Sequence, residues 1–531
     1  MSSDKQNGDP QNWDKEIAEI HERRALAKGH GGEEAVALHH AKGRMTLRER
    51  IDSLIDPGSF KETGMGAGGA EKDESGNLTG FTPSNFILGF AQVDERPIIV
   101  GGEDFTIGGG SPTVAGLRKS VYTEELACHY KVPLVRLHEG GGGSVLGAAG
   151  KKGGGGGPVG SSVAEQPRFK SVGEAMAMVP VASAALGPVA GLPAARLVAS
   201  HFVTMSRDTA QILIAGPAVV QRALGVSVTK EELGGADVHA ANGVVDAVAA
   251  NEAEALAQIR KFLSYMPQNV WELAPIVDTN DPADRAEEKL ANIIPRNRRK
   301  AFDMRKLIGH VVDRDSFFEM GRKYGPGQIT GLARIMGQTV GILSNDGRFY
   351  AGAMTSEGAQ KVRRFIEICD TFHFPMISLI DEPGFMIGPE AESGGAIRYG
   401  TSAVLAAATY SAPWASVLVR KNYGVAAAAH YGPDGYVLAW PSAEMGALPL
   451  EGGVAVAFGR EIAAADDPEA RRKELEDELA ARLSPFPRSE SYAFHELIDP
   501  RETRPMLCDW IKLVQPLLPQ LLGPRHFGIR P

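Results

Sequence analysis

Apolar and polar positions alternate between two periods along the chain. Short apolar runs such as Pro97–Val100 and Val340–Leu343 suit buried strands. The segments Val114–Tyr130 and Ser356–Phe372 have the spacing of amphipathic helices. Each leads through a proline into a further strand, VPLVRL from Val132 and FPMISLI from Phe374. Strands alternating with helices predict an α/β architecture.

The same pattern occurs twice. Aligning Gly89 with Gly331 sets a separation of 242 residues, which also pairs Ala91 with Ala333, Gly110 with Gly352 and Lys119 with Lys361. It pairs Glu125 with Glu367, Pro133 with Pro375 and Leu137 with Leu379 as well. Upstream, Asp56, Ser59, Phe60 and Glu62 are echoed by Asp313, Ser316, Phe317 and Glu319. Downstream, VASAALGPVAG from Val181 parallels WASVLVRKNYG from Trp414 at a separation of 233. The change of nine puts extra residues in the first copy, where the glycine-rich stretch 140–157 lies. A string of identities at constant spacing predicts an internal duplication. The segment before the first copy is charged and helical in pattern. Thr46 and Glu49 have capping-box spacing, and Asp56–Gly58 stops that helix. The halves meet around Pro275–Lys300, giving domains 1–275 and 276–531.

Length and composition narrow the class. A chain of 531 residues holds two or three domains and can bury large cores. Its 43% hydrophobic and 23% charged residues are an ordinary globular balance. Cys128, Cys369 and Cys508 lie far apart without metal-ligand spacing, as expected of buried thiols in a reducing compartment. A net charge of −9 disfavours nucleic-acid binding. The polar start lacks a signal-peptide core. The uncharged stretch between Glu174 and Arg196 is broken by Pro180, Pro188 and Pro193, unlike a membrane helix. A cytoplasmic location away from membranes is expected.

Several ordered motifs carry a resemblance. HHAKGRMTLRERIDSLIDPGSFKE (His39–Glu62) is followed by GGEDFTIGGGSP (Gly101–Pro112) and KEELGGADVH (Lys230–His239). ISLIDEPGFMIG (Ile377–Gly388), GGAIRYG (Gly394–Gly400), LVRKNYG (Leu418–Gly424) and AWPSAEMGAL (Ala439–Leu448) complete the set. Over nearly its whole length the chain resembles the carboxyltransferase subunits of propionyl-CoA, acetyl-CoA and methylcrotonyl-CoA carboxylases. The resemblance implies two tandem crotonase-like domains, acyl-CoA as substrate, biotin as cofactor and a homo-oligomer, a hexamer in that family. The chain has no Met-Lys-Met for biotin attachment and no P-loop. The biotin-carrying and ATP-using steps are therefore expected on a partner, a biotin carboxylase/biotin carboxyl carrier subunit.

The implied reaction moves CO2 from carboxybiotin to the α- or vinylogous γ-carbon of an acyl-CoA. Negative charge develops on the thioester oxygen and on the biotin ureido oxygen. Fixed backbone N–H groups can stabilise both, at about 3–4 kcal/mol per good donor. No side-chain nucleophile or metal is required, which suits a glycine-rich chain without either. For the biotin oxygen the resemblance implies the amides of Val425 and Ala426, with Tyr423, Gly424 and the size-tuning Ala428 beside them. The plainer reading of Tyr423–Ala429 is a tight strand–helix junction.

For the thioester it implies Gly191 and Leu192, where the family's A-G-G-A reads Ala190 to Pro193, and the loop containing Gly141, Gly142 and Gly143. Pro193 has no N–H, so one donor is missing or shifted to Leu192. The glycine-rich loop also reads as a surface linker, or as a CoA phosphate cradle with Lys151, Lys152, Arg168 or Lys170. It lacks the acidic residue of a dinucleotide fingerprint. Asp381 and Glu382 fit a turn or cap, and His138 and His239 fit structural hydrogen-bonders. Two other functions share these motifs: the carboxyltransferase half of an acyl-CoA decarboxylase, and a non-catalytic assembly homologue.

Overall fold

The computed structural model describes residues 12–142, 169–298, 300–480 and 483–525. Among these residues, two sheets of eight strands carry the fold. The first contains β1 (Lys61–Thr63), β2 (Phe86–Val93), β3 (Arg96–Glu103), β4 (Leu134–Gly140), β5 (Val181–Ala190), β6 (Phe202–Ser206), β7 (Gln211–Leu213) and β8 (Ala247–Ala249). The second contains β9 (Phe318–Met320), β10 (Gln328–Ile335), β11 (Gln338–Asn345), β12 (Met376–Glu382), β13 (Trp414–Tyr423), β14 (Tyr436–Ala439), β15 (Glu444–Gly446) and β16 (Glu496–Leu497).

Their orders match strand for strand. The first runs β1-β2-β3-β4-β5-β6-β8 with β7 beside β5; the second runs β9-β10-β11-β12-β13-β14-β16 with β15 beside β13. In each sheet the first two pairings are antiparallel and the rest parallel. The duplication read from the sequence is thus a duplication of topology, and the fold is a pair of crotonase-like α/β units.

The echoed residues repeat their bonds. The Asp56 carboxylate accepts from the amides of Asp94 and Glu95; that of Asp313 accepts from Met336 and Gly337. Ser59 Oγ accepts from Gln92 N–H, and Ser316 Oγ from Arg334 N–H, each at 3.1 Å. Lys119 reaches the Gly64 carbonyl at 3.3 Å, and Lys361 the Gly321 carbonyl at 3.1 Å. Thr113 and Thr355 cap the two long helices, Val114–Tyr130 and Ser356–Thr371, through the amides of Gly116 and Gly358. Ahead of the first copy, Thr46 and Glu49 form the expected capping box on Leu47–Leu54.

Helix Ser356–Thr371 shows why these segments fold as they do. Val362, Phe365, Ile366 and Cys369 fall three and four residues apart and are buried against the sheet. Cys369 and Cys508 are buried as expected, whereas Cys128 is only half-buried. The uncharged stretch 174–196 divides into the end of helix Lys170–Met178, strand β5 and the start of helix Leu192–Val198. Among the described residues no helix is long and apolar enough to cross a membrane.

One apolar core runs through both halves, joining Ile99, Leu134 and Phe262 to Met320, Phe365 and Trp414. Phe202 lies 5.0 Å from Phe262 and 5.2 Å from Phe318, ring centre to ring centre. The Tyr265 hydroxyl donates to the Ser316 carbonyl, and Arg364 pairs with Asp246 at 2.7 Å.

His201 lies in this seam, fully buried. Its Nδ1 accepts from Val181 N–H at 2.9 Å and its Nε2 meets the Met176 carbonyl at 3.0 Å, which suits the neutral ring. Burial, helped by the charges of Arg364 and Arg136, lowers its pKa to about 3. Below pH ~6.5 the unfolded chain takes up a proton that the folded chain refuses, so acid weakens folding through this window. Stability is expected to fall by about 2 kcal/mol between pH 7 and pH 5 from this group alone. Urea unfolding at the two pH values should show that loss, and His201→Gln should remove it. Equal pH dependence in both proteins would refute the assignment.

Candidate active site

Both sheets end their central parallel strands in glycine turns at the carboxyl edge, where open α/β sheets bind ligands. Strand β5 ends at Ala190. Gly191 follows at φ +64°, and helix Leu192–Val198 begins. Strand β13 ends at Tyr423. Gly424 follows at φ +65°, and a 3-10 helix, Val425–His430, begins. The Gly191 N–H donates to the Leu213 carbonyl at 3.2 Å; the Gly424 N–H donates to the Gly446 carbonyl at 3.1 Å. These junctions correspond at the separation of 233, so Leu192 matches Val425 and Pro193 matches Ala426.

The first junction brings its expected residues together. A Cβ on Gly191 would lie 2.7 Å from Gly142 Cα, so only glycines allow the two turns to touch. The Gly141 N–H donates to the Gly109 carbonyl at 3.1 Å. That leaves Gly142 and Leu192 as the amides at the contact. Pro193 stands second in its helix, where no intrahelical bond needs its N–H. Gly143, Lys151, Lys152 and Arg168 lie outside the described residues, and Lys170 is exposed at the start of its helix.

At the second junction Val425 is 64% exposed while Ala426 is buried. Their amides open the helix and donate to no group among the described residues, as first-turn amides do when a ligand can meet them. Ala428 is exposed one turn on. The Tyr423 hydroxyl donates to Glu444 at 3.0 Å, and Glu444 pairs with Arg298 at 2.6 Å. Burial and the Glu444 charge push the Tyr423 phenol well above its usual range, so it stays protonated.

The other polar residues are structural in their contacts. Asp381 forms a two-point pair with Arg420 at 3.0 and 2.7 Å. Glu382 accepts from Gly384 N–H and from Asn345. His138 Nδ1 lies 3.0 Å from Glu103, and His239 Nε2 lies 2.7 Å from the Ile212 carbonyl. Among the described residues no group of acidic, histidine or cysteine side chains could hold a metal.

Sequence reasoning missed Glu139. It lies just before the first glycine turn, fully buried, against Arg44 at 3.0 Å, Arg50 at 2.7 Å and His39 at 3.4 Å. The three partners belong to the opening motif HHAKGRMTLRER. The separation of 242, carried two residues past Leu137, pairs Glu139 with Asp381 and could have found it.

The family described as "Carboxyl transferase domain" matches residues 38–515. The chain belongs to the carboxyl transferase family. The chain is 33% identical to the carboxyltransferase subunit of propionyl-CoA carboxylase from Haloferax mediterranei, over 94% of this chain and 96% of that one. It is 32% identical to the alpha subunit of methylmalonyl-CoA decarboxylase from Veillonella parvula, over 93% and 95%. A solved structure of transcarboxylase 12S, described as a hexamer with methylmalonyl-coenzyme A bound, superposes with a TM-score of 0.82 at 29% identity, covering 99% of this chain and 98% of that one. This carboxyl transferase is thus an acyl-CoA carboxyltransferase of the biotin-dependent kind.

Proposed function

We propose that the chain moves a carboxyl group from carboxybiotin, presented by a partner subunit, to the α- or vinylogous γ-carbon of an acyl-CoA. Residues 1–275 form the acyl-CoA side and residues 276–531 the biotin side. The observation that carries this reading is the repeated junction: strand, positive-φ glycine, then a helix start offering amides. On the acyl side Gly142 and Leu192 hold the thioester oxygen as it becomes an enolate oxygen. On the biotin side Val425 and Ala426 hold the ureido oxygen; two amides unmet among the described residues, at a helix start where Val425 faces outward, fit that anion. Carboxybiotin supplies the CO2 and, having lost it, the base for the substrate proton. The protein's own residues fix the two oxygens and keep the reacting groups in register.

Tyr423, Gly424 and Ala428 border the biotin side, and Gly143, Lys151 and Arg168 are assigned to the CoA side of the loop. The chain forms a homo-oligomer in which one subunit's acyl side faces another's biotin side; transcarboxylase 12S is described as a hexamer. The exposed apolar residues Ile387, Val425 and Val456 of the second half, and Ile214 and Leu224 of the first, suit such a contact. A cytoplasmic setting with a biotin carboxylase/biotin carboxyl carrier partner follows. The Veillonella relative supports a second direction, decarboxylation, which the same site performs in reverse.

The chain alone, given methylmalonyl-CoA and free biotin, is expected to transfer carboxyl to biotin. Given ATP, bicarbonate and propionyl-CoA, it is expected to do nothing without the partner. ATP-dependent carboxylation by the chain alone would overturn the division of labour. A folded oligomer that transfers nothing, alone or with the partner, would favour an assembly homologue.

A further inference from the structure

We infer that Glu139 is a positioning residue for the acyl-CoA junction, held ionised behind the glycine turn by Arg44 and Arg50. The inference rests on the assignment of that junction under the proposed function. Strand β4 bulges between His138 and Gly140 with the Glu139 side chain buried, so that Gly140 and Gly141 run past Gly109–Ser111 and Gly142 meets the β5 junction. The carboxylate settles over Gly187, where a Cβ would lie 2.2 Å from Glu139 Cδ. Arg50 grips it at 2.7 Å while bonding Glu252 at 2.7 Å and the Leu186 carbonyl at 3.3 Å. Arg44 grips the other oxygen at 3.0 Å and reaches the Thr209 carbonyl at 3.4 Å. Burial opposes this charge, but the neighbouring His39 and the two guanidinium charges outweigh it and keep the carboxyl below its usual range.

The second half holds the same device built differently. Asp381 stands at the matching place in β12, beside a bulge between Ile380 and Glu382. Its guanidinium comes from Arg420 on the neighbouring strand, at 3.0 and 2.7 Å. Arg420 matches Gly187 at the separation of 233. In the first half the arginine position is therefore a glycine, the carboxylate is one methylene longer, and the positive charge comes from the N-terminal segment. A buried carboxylate without a partner is costly, and a merely structural pair could have become apolar. Both halves instead keep a carboxylate–guanidinium pair directly behind the turn. Two guanidinium groups, each meeting one oxygen of the carboxylate, fix the strand end, and small misplacement of reacting groups costs large rate factors.

The test compares Glu139→Gln with Glu252→Gln. Both remove one buried acidic partner of the same Arg50, but only the first touches the turn. With methylmalonyl-CoA and free biotin, Glu139→Gln is expected to lower kcat about 10- to 100-fold, with both KM values within about threefold. Glu252→Gln is expected to lower the melting temperature and leave kcat within about threefold. Hydrogen exchange of the Gly140–Gly142 amides should quicken at least about tenfold in Glu139→Gln and not in Glu252→Gln. If Glu139→Gln does not fold, Arg44→Gln, at the partly exposed edge of the cluster, should give the same kcat-specific loss in milder form, about 3- to 10-fold. Equal kcat losses in the Glu139 and Glu252 variants, or unchanged exchange at Gly140–Gly142, would overturn the inference. Wild-type protein inactive on these substrates would instead sink the proposed function, while the exchange comparison would still decide whether Glu139 orders the turn.

Discussion

Ala426→Pro is expected to slow carboxyl transfer about 10²–10³-fold, the loss for one oxyanion donor, in a protein that still folds. The substitution removes one N–H and no functional side chain. Proline inside a helix usually breaks it, but Ala426 is the second residue of Val425–His430, where the N–H has no partner within the helix. The protein supplies its own precedent, since Pro193 occupies the matching place in the first half and begins a regular helix there. The KM for the acyl-CoA ester should hold within about threefold, because that ester is assigned to the other junction. A folded Ala426→Pro enzyme transferring at the wild-type rate would show that the ureido oxygen is held elsewhere. The same comparison bears on Pro193: the first half has one amide at its helix start where the second has two, and under the proposed function Gly142 across the contact supplies the other.

The sequence and the structure agree most closely where the information is periodic. Strand and helix spacing, the proline entries into β4 and β12, and the two constant separations are local or repeated signals. They predict a duplicated α/β unit, to which the structure adds matching strand orders and the paired bonds of Asp56 and Asp313. Gly142 and Gly191 were named as neighbours through the family resemblance, and the structure brings them into contact. Glu139 was missed for a physical reason. Its partners lie about a hundred residues away in the chain, in a segment outside the repeat, and the cue is an absence, the glycine at position 187. A missing side chain that makes room for a distant carboxylate leaves no mark on hydrophobic period. The shared core was also hidden, because a linker at 275–300 suggests separable halves, while Phe202, Phe262 and Phe318 pack as one group.

Gly191→Ala is expected to damage the protein far more than the matching Gly424→Ala. Both glycines have nearly equal positive φ, +64° and +65°, in a region costly for any residue with a Cβ. That strain alone accounts for about 1–3 kcal/mol in either variant. The difference lies in what the new methyl meets. At Gly424 its nearest neighbour is the Ala447 carbonyl oxygen at 3.4 Å, a close contact that small movements relieve. At Gly191 it meets Gly142 Cα at 2.7 Å, and backbone cannot swing away as a side chain can. The two turns must separate, and the Gly142 and Leu192 amides must separate with them. Transfer to or from the CoA ester should fall by at least about 10²-fold, the scale for losing a preorganised donor. Melting temperature should drop further than in Gly424→Ala, and exchange should quicken at the Gly141 amide and at that of position 191, which bond the Gly109 and Leu213 carbonyls. The decisive comparison is melting temperature and kcat of the two alanine variants side by side. If Gly191→Ala is as stable as Gly424→Ala and transfers at the wild-type rate, the two turns do not need to touch, and the acyl-side oxygen cannot depend on donors from both.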